Sequence, residues 1–422
     1  MLIGFLKGDA ETLLSPILAD MEFTLRCRLT TFFVMNRSAR GYAGPLPSFA
    51  LLPLSRGYRM ARVGISAEFI KAGRVGGIEQ ALQYTVDGLL ESIQPDDSLV
   101  IFGDGLPHIA SERLEVVVPN QQSSNRFSQE TATFKTYGSS IDSWFSPNYF
   151  TPRGRWGCVK VTTIPDLQYL HYPGNFSVQK RFWLRWAHDR TLRRADRVTV
   201  YSDFVRDDIT ERYGARWSEQ VVTIPIPVSW DRFGEGSGQR RARPYVLAVA
   251  SHYKHKNLAT LVTSFAAVHR EYPDLQLVLV GQLGANLVGV RQVEDVATLV
   301  ESLGLVDVVV PTGYISVEEL GDLYRGAELF VHPSLFEGFG LPPVEALGFG
   351  LPVLVSRRSS LPEVTRGLAR LVDDPLDGEA WASGIVEMIH APQRSGAAEV
   401  ERFREHYRPA RIAQMLYSEL AP

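Results

Sequence analysis

From residue 60 onward, apolar residues alternate between short continuous runs and stretches where they recur every three or four positions. The first pattern marks buried strands and the second amphipathic helices. Residues 62–66 read as a strand, followed by a glycine loop and a helix carrying Ile78, Leu82, Val86 and Leu89 on one face. Residues 98–102 and 115–118 are further strands, and 119–140, rich in Ser, Gln, Asn and Thr, read as a long loop. A strand and a Pro-rich turn follow in IDSWFSPNYFTPR, and 159–173 is a strand running into a loop. Residues 179–197 predict a strongly basic helix. VTVYSDFVRDDITERYG predicts a strand, Ser202 as N-cap, and a helix with Asp203 in its first turn. The glycine, serine and charge of residues 230–244 suit a linker. A second series then begins, with strands at 245–250, 275–280, 306–310, 328–332 and 351–355. Helices are expected from about Asn257, at 291–303 and 317–326, and over 398–420 as a final amphipathic segment. Such alternation predicts an α/β chain with two doubly wound domains, 60–235 and 244–400.

The first 59 residues lack this periodicity. They carry seven basic and four acidic residues, a net of +3, against −3 for the whole chain of 422. Met60 is therefore read as the natural start, and 1–59 as a non-native or disordered extension. The small net charge gives no reason to expect nucleic acid. Two cysteines, Cys27 and Cys158, with no metal-ligand spacing, suit a reducing cytoplasm. No uncharged apolar run approaches the roughly 20 residues of a membrane-spanning helix.

The chemistry concentrates in HPSLFEGFGLPPVEALGFGLPVLVS, residues 332–356. It reads as strand, glycine loop, short helix, strand. Pro342 and Pro343 fit a helix's first turn, where a missing N–H costs little. In an open α/β sheet ligands bind where strand ends meet helix N-termini, and such a terminus suits a phosphate. Gly338 and Gly340 let backbone approach a ligand. Glu337 falls in the loop and Glu345 is expected in the helix's first turn. Two acids beside a phosphate site suit hydroxyl groups better than the phosphate itself. A sugar nucleotide offers both parts. Dipole complementarity alone is a structural alternative for Glu345.

This string resembles the E-x7-E signature of retaining glycosyltransferases of family four. The match runs through Glu337, Gly338, Phe339, Gly340, Leu341, Pro342, Glu345 and Ala346, then Pro352-Val353 and Leu361-Pro362-Glu363-Val364. The resemblance implies the GT-B fold: two Rossmann-like domains facing a cleft, with residues 401–422 crossing back to the first. It implies a nucleotide-sugar donor, with Glu337 on the sugar's hydroxyls and Glu345 on the ribose. Lys256 would bind the diphosphate and, with the Gly340 and Leu341 amides, take the leaving group's charge. Glu337 and Lys256 are thus the expected catalytic residues. Gly76 and Gly77 would approach donor phosphate and acceptor, and backbone near Gly313 and Tyr314 the base. Asp166 is expected on the acceptor side. The family generally needs no metal, and no metal or other cofactor is expected here.

Two departures stand out. Many members carry an arginine five residues before the lysine, where this chain has Ser251, and His252 or Lys254 are weak substitutes. Relatives commonly read Thr-Ile-His-Asp-Leu where this chain has Pro165, with His171 five residues after Asp166. These departures motivate the rival reading of a non-catalytic sugar-nucleotide-binding subunit. A GT-B sugar-nucleotide epimerase is the rival chemistry. The DLQYLHYP segment is similar to bacterial mannosyltransferases of surface polysaccharide synthesis, which points to a mannosyl donor and a saccharide or lipid-linked acceptor. The basic, tryptophan-bearing run 179–197 fits either a helix that packs its aromatics inward or a peripheral contact with the inner face of a membrane.

Overall fold

A computed structural model describes residues 61–422 apart from 71–76, 107–110, 120–125, 155–156, 238–240, 252, 282–294, 393 and 422. The extension 1–59, Gly76 and His252 lie outside the described residues. Two parallel sheets organise the rest. The first holds β1 (Arg62–Ser66), β2 (Ser98–Phe102), β3 (Leu114–Val117), β4 (Ser143–Ser146), β5 (Val159–Thr163), β6 (Arg197–Val200) and β7 (Val221–Thr223), in the order 3-2-1-4-5-6-7. The second holds β8 (Tyr245–Val249), β9 (Gln276–Val280), β10 (Val309–Gly313), β11 (Leu329–His332), β12 (Val353–Ser356) and β13 (Arg370–Val372), in the order 10-9-8-11-12-13. Each order reverses direction beside its first strand, between β1 and β4 and between β8 and β11. A crevice opens at such a reversal, outside the carboxyl ends of the strands.

Central strands such as β11 and β12 are buried along their whole length, which is why they read as apolar runs up to their last residue. Helices cover both faces. The Val317–Gly326 helix keeps the bounds its sequence predicts because Ser316 and Glu319 form a reciprocal cap: Glu319 N–H donates to Ser316 Oγ at 3.1 Å, and Ser316 N–H to Glu319 Oε2 at 2.7 Å.

Four expectations are corrected. Residues 119–140 are not all loop, because an Arg126–Tyr137 helix lies within them. Its inward residues include Glu130 and Thr133 beside Phe134, so its apolar period is hidden. The expected linker 230–244 opens as core: Trp230 and Phe233 are buried against the second domain. The expected 398–420 helix is two, Ala397–Tyr407 and Pro409–Leu420, because Pro409 cannot continue the first. The strand expected at 306–310 starts later, at Val309. The second of the C-terminal helices packs on the Gly77–Ser92 helix of the first domain. Gly88 makes that approach feasible, since a Cβ there would lie 2.4 Å from the Pro409 carbonyl oxygen.

Candidate active site

β11 ends at His332, and the chain turns through 333–340 into the Leu341–Gly348 helix. Gly340 is the N-cap, with φ +93°, a conformation that side chains resist. A Cβ there would also meet Leu361 Cδ2 at 2.7 Å. Pro342 and Pro343 sit in the first turn as expected. The Gly340 and Leu341 N–H groups therefore belong to the positive end of a helix that opens at the crevice.

Lys256 closes a 3-10 turn, Lys254–Lys256, after β8. Asn257, left-handed at φ +58°, follows it, and its Nδ2 donates to the Pro333 and Pro375 carbonyls at 3.2 and 2.7 Å. That anchor ties the lysine turn to the Glu337 loop. Lys256 Nζ lies 2.7 Å from Glu337 Oε1, and His332 Nε2 lies 2.8 Å from the same oxygen. Burial pushes the Glu337 carboxyl up, but Lys256 and His332 together outweigh burial and hold it well below the usual carboxylate range. Glu337 is thus an ionised carboxylate with a fixed orientation. His332 has no part in the sequence-based expectations. Its signal was a polar residue closing an otherwise apolar strand.

The first domain supplies the facing wall. A Cβ on Gly338 would stand 2.4 Å from the Pro165 carbonyl oxygen and 2.9 Å from Asp166 Cβ, so the two loops touch. Asp166 accepts from Gln168 N–H at 2.8 Å. Burial, and then Glu337, push its carboxyl up against the pull of that bond and of Lys256. Gln168 Nε2 lies 3.0 Å from His255 Nε2, and Asn175 Nδ2 lies 3.3 Å from His255 Nδ1. Burial and the neighbouring Lys256 push His255 down to about 3, so it is a neutral ring bridging the domains. His171 is engaged with Asp208 at 2.7 Å, its ring 4.8 Å from that of Phe336.

Glu345 departs from expectation. It lies in the second turn of its helix, not the first, and is 2% exposed. Arg232 Nη2 donates to its Oε1 at 2.5 Å and the Tyr324 hydroxyl to its Oε2 at 2.8 Å. Burial pushes the carboxyl up, and Arg232 and Tyr324 offset that only in part. The Arg232 guanidinium also lies 5.0 Å from the ring of Tyr84, on the Gly77–Ser92 helix. Each Glu345 carboxylate oxygen thus already has a side-chain donor. The Phe339 ring is buried, 5.7 Å from that of Tyr407, which leaves its backbone as the part available to the crevice. Arg232, Tyr324 and Tyr84 come from three separate segments, and no local pattern marks them.

Gly77 opens the first helix of the first domain. Gly313 ends β10 at φ +70°, and Gly281 N–H donates to its carbonyl at 3.1 Å. Tyr314 beyond it is 72% exposed. The structure therefore gathers Lys256, Glu337, Gly338, Gly340, Leu341 and Asp166 at one crevice. The Glu345 carboxylate and the Phe339 ring are buried behind it. Among the described residues, no group of three His, Cys, Asp or Glu side chains is placed to hold a metal ion.

Residues 233–406 match the family described as glycosyl transferases group 1. The O-antigen chain mannosyltransferase RfbU of Salmonella typhimurium is 29% identical over 233 residues, 55% of this chain and 62% of its own length. The O-antigen chain mannosyltransferase B of Escherichia coli is 28% identical over 260 residues, 58% of this chain and 65% of its own. The chain thus spans under two thirds of the length of these curated relatives. The sucrose-phosphate synthase of Thermosynechococcus elongatus superposes with a TM-score of 0.64 at 20% identity, covering 85% of this chain and 98% of that one. At that identity the likeness is one of fold, and the two facing sheets are the GT-B arrangement.

Proposed function

We propose that the chain, whose residues 233–406 match glycosyl transferases group 1, moves a hexosyl group from a nucleotide sugar to a saccharide or lipid-linked acceptor, with retention at the anomeric carbon. The carrying observation is the Lys256–Glu337–His332 cluster, set against a helix N-terminus at the crevice between the domains. The mannosyl donor follows from the mannosyltransferase names of the two relatives, and surface polysaccharide synthesis from their O-antigen products.

The geometry supports a division of labour. Departure of the nucleoside diphosphate leaves positive charge on the sugar and negative charge on the phosphate. Lys256 and the Gly340 and Leu341 amides lie on the phosphate side and stabilise that charge without reorganising. Glu337, held ionised, accepts from sugar hydroxyls and draws Lys256 into place. Asp166, on the opposite wall, faces the acceptor. A ribose takes the Glu345 carboxylate as Arg232 moves aside. No step asks for a metal ion.

Membrane contact is the finer part of this reading. In the Val178–Arg194 helix Trp183 turns in against Phe127, 4.3 Å between ring centres, whereas Phe182 is 71% and Val178 54% exposed. Arg185 is exposed on the same side, whereas Lys180 lies round the helix over the Trp183 ring. Exposed apolar side chains beside an exposed arginine suit an anionic lipid surface. No helix among the described residues is long and apolar enough to cross a membrane. Flotation with vesicles containing phosphatidylglycerol checks this contact; equal flotation of wild type and Phe182→Asp ends it.

A thermal-shift screen against nucleotide sugars tests the main proposal. Stabilisation by one nucleotide sugar, lost in Lys256→Ala, supports it. No shift with any member, or a shift indifferent to Lys256, goes against it. Product analysis then separates the rivals, since an epimerase converts the donor without acceptor and a binding subunit converts nothing.

A further inference from the structure

We propose that Glu363 is a positioning residue that couples closure of the two domains to the placement of Glu337. This rests on the reading of Glu337 given above. Glu363 belongs to the second domain, in the short Leu361–Val364 helix. Its carboxylate crosses the crevice to the first domain. There Oε1 accepts from Asp203 N–H at 2.8 Å and Oε2 from Phe204 N–H at 3.1 Å. These are the first two amides of the Asp203–Tyr213 helix, which its own N-cap, Ser202, leaves unsatisfied. A carboxylate held by two N–H groups at a helix N-terminus gains from both the bonds and the dipole.

The same short segment holds the Glu337 loop. Glu337 N–H donates to Ser359 Oγ at 2.8 Å, and Ser360 Oγ donates to the Glu337 and Phe339 carbonyls at 3.0 and 2.7 Å. Ser359 adopts φ +50°, a left-handed conformation uncommon for serine. From the other domain, Ser202 Oγ donates to the Gly338 carbonyl at 2.7 Å while accepting from Val205 N–H. Residues 359–363 thus grip the Glu337 loop at one end and the facing domain at the other. Ser202 grips the same loop directly. When the domains part, Glu363 loses both amides and Gly338 loses Ser202, and the loop keeps only its own-domain bonds. Closure therefore adds the Ser202 bond to the loop whose Glu337 carboxylate Lys256 and His332 orient, and Glu363 supplies the charged contact that holds closure.

Amide exchange and kinetics on the full chain test this together, in wild type, Glu363→Gln and Glu363→Ala. In Glu363→Ala the Asp203 and Phe204 amides should exchange about tenfold faster, with the Leu258–Glu271 helix unchanged as an internal control. Donor kcat should fall about tenfold while donor KM and nucleoside diphosphate affinity stay within about twofold. Glu363→Gln keeps one acceptor oxygen and should fall between. Unchanged exchange at both amides overturns the clamp. Faster exchange with unchanged kcat overturns the coupling, as does a fall in kcat matched by a general loss of protection. If the wild type turns over no donor, the reading of the reaction fails, while the exchange result still decides whether the clamp exists.

Discussion

Replacing Arg232 with methionine isolates the buried pair at the domain junction. Arg232 is 15% exposed at its side chain and Glu345 3%. Methionine keeps most of the apolar stem but leaves the Glu345 carboxylate with the Tyr324 hydroxyl as its side-chain partner in the described hydrogen bonds. Removing one partner of a buried ion pair costs about 3–5 kcal/mol. The arginine's partial exposure, and the option of protonating Glu345, place the loss near the lower end, about 3 kcal/mol at pH 8. The pH dependence is the sharper signature. Burial already raises the Glu345 carboxyl from its ordinary value of 4.5, and loss of Arg232 raises it further. A group whose folded value is raised binds more protons folded than unfolded, so stability falls as pH rises through the gap. The variant should lie closer to wild type at pH 5 than at pH 8. Urea unfolding at the two pH values measures both quantities. Adding Glu345→Gln should recover about half the loss at pH 8, because no charge is then stranded. A loss under about 1 kcal/mol at pH 8, equal at pH 5, would show that Glu345 does not depend on Arg232 and would refute the reasoning.

Three further outcomes follow from the same geometry. Lys256→Ala should lower donor turnover about 10²–10³-fold with the fold intact, the scale for losing one charge-stabilising donor; a loss under tenfold in steady-state assays contradicts its role. Glu337 is held below its ordinary 4.5, so its pairing adds stability above that pH, lost as pH falls through the lowered value. Thermal unfolding scanned from pH 7 to 3 should therefore show a shallower acid limb in Lys256→Ala than in wild type. Pro165→His should fold and transfer at no less than about a tenth of the wild-type rate, roughly 1.4 kcal/mol of barrier; a larger fall means the site is built around proline.

The alternation of strand and helix was legible because both sheets are parallel and buried on both faces, which gives continuous apolar runs between amphipathic stretches. The 317–326 helix was legible to the residue because its cap is written in Ser316 and Glu319. The 126–137 helix was not, since polar Glu130 and Thr133 take inward positions. Pro409 did announce the break between the last two helices, and the amphipathic pattern running across it masked the signal. At the site, Glu337, Lys256 and the glycines were legible because strand end, loop and helix start are contiguous in sequence. Arg232, Tyr324 and His255 were not, because their partners lie 113, 21 and 87 residues away. Glu345 was misplaced for the same reason: spacing marks an acid near a helix start, and only the fold shows what covers it.

The central claim is that the Glu337–Lys256 crevice transfers a hexosyl group with retention. The most direct measurement is proton NMR of the sugar transferred from GDP-mannose to a saccharide acceptor by the full chain, beside Glu337→Gln. The account predicts an α-linked mannosyl product matching the α configuration of the donor, formed at least about a hundredfold more slowly by the variant. A β-linked product, or an α-linked product formed at the same rate by Glu337→Gln, would contradict it.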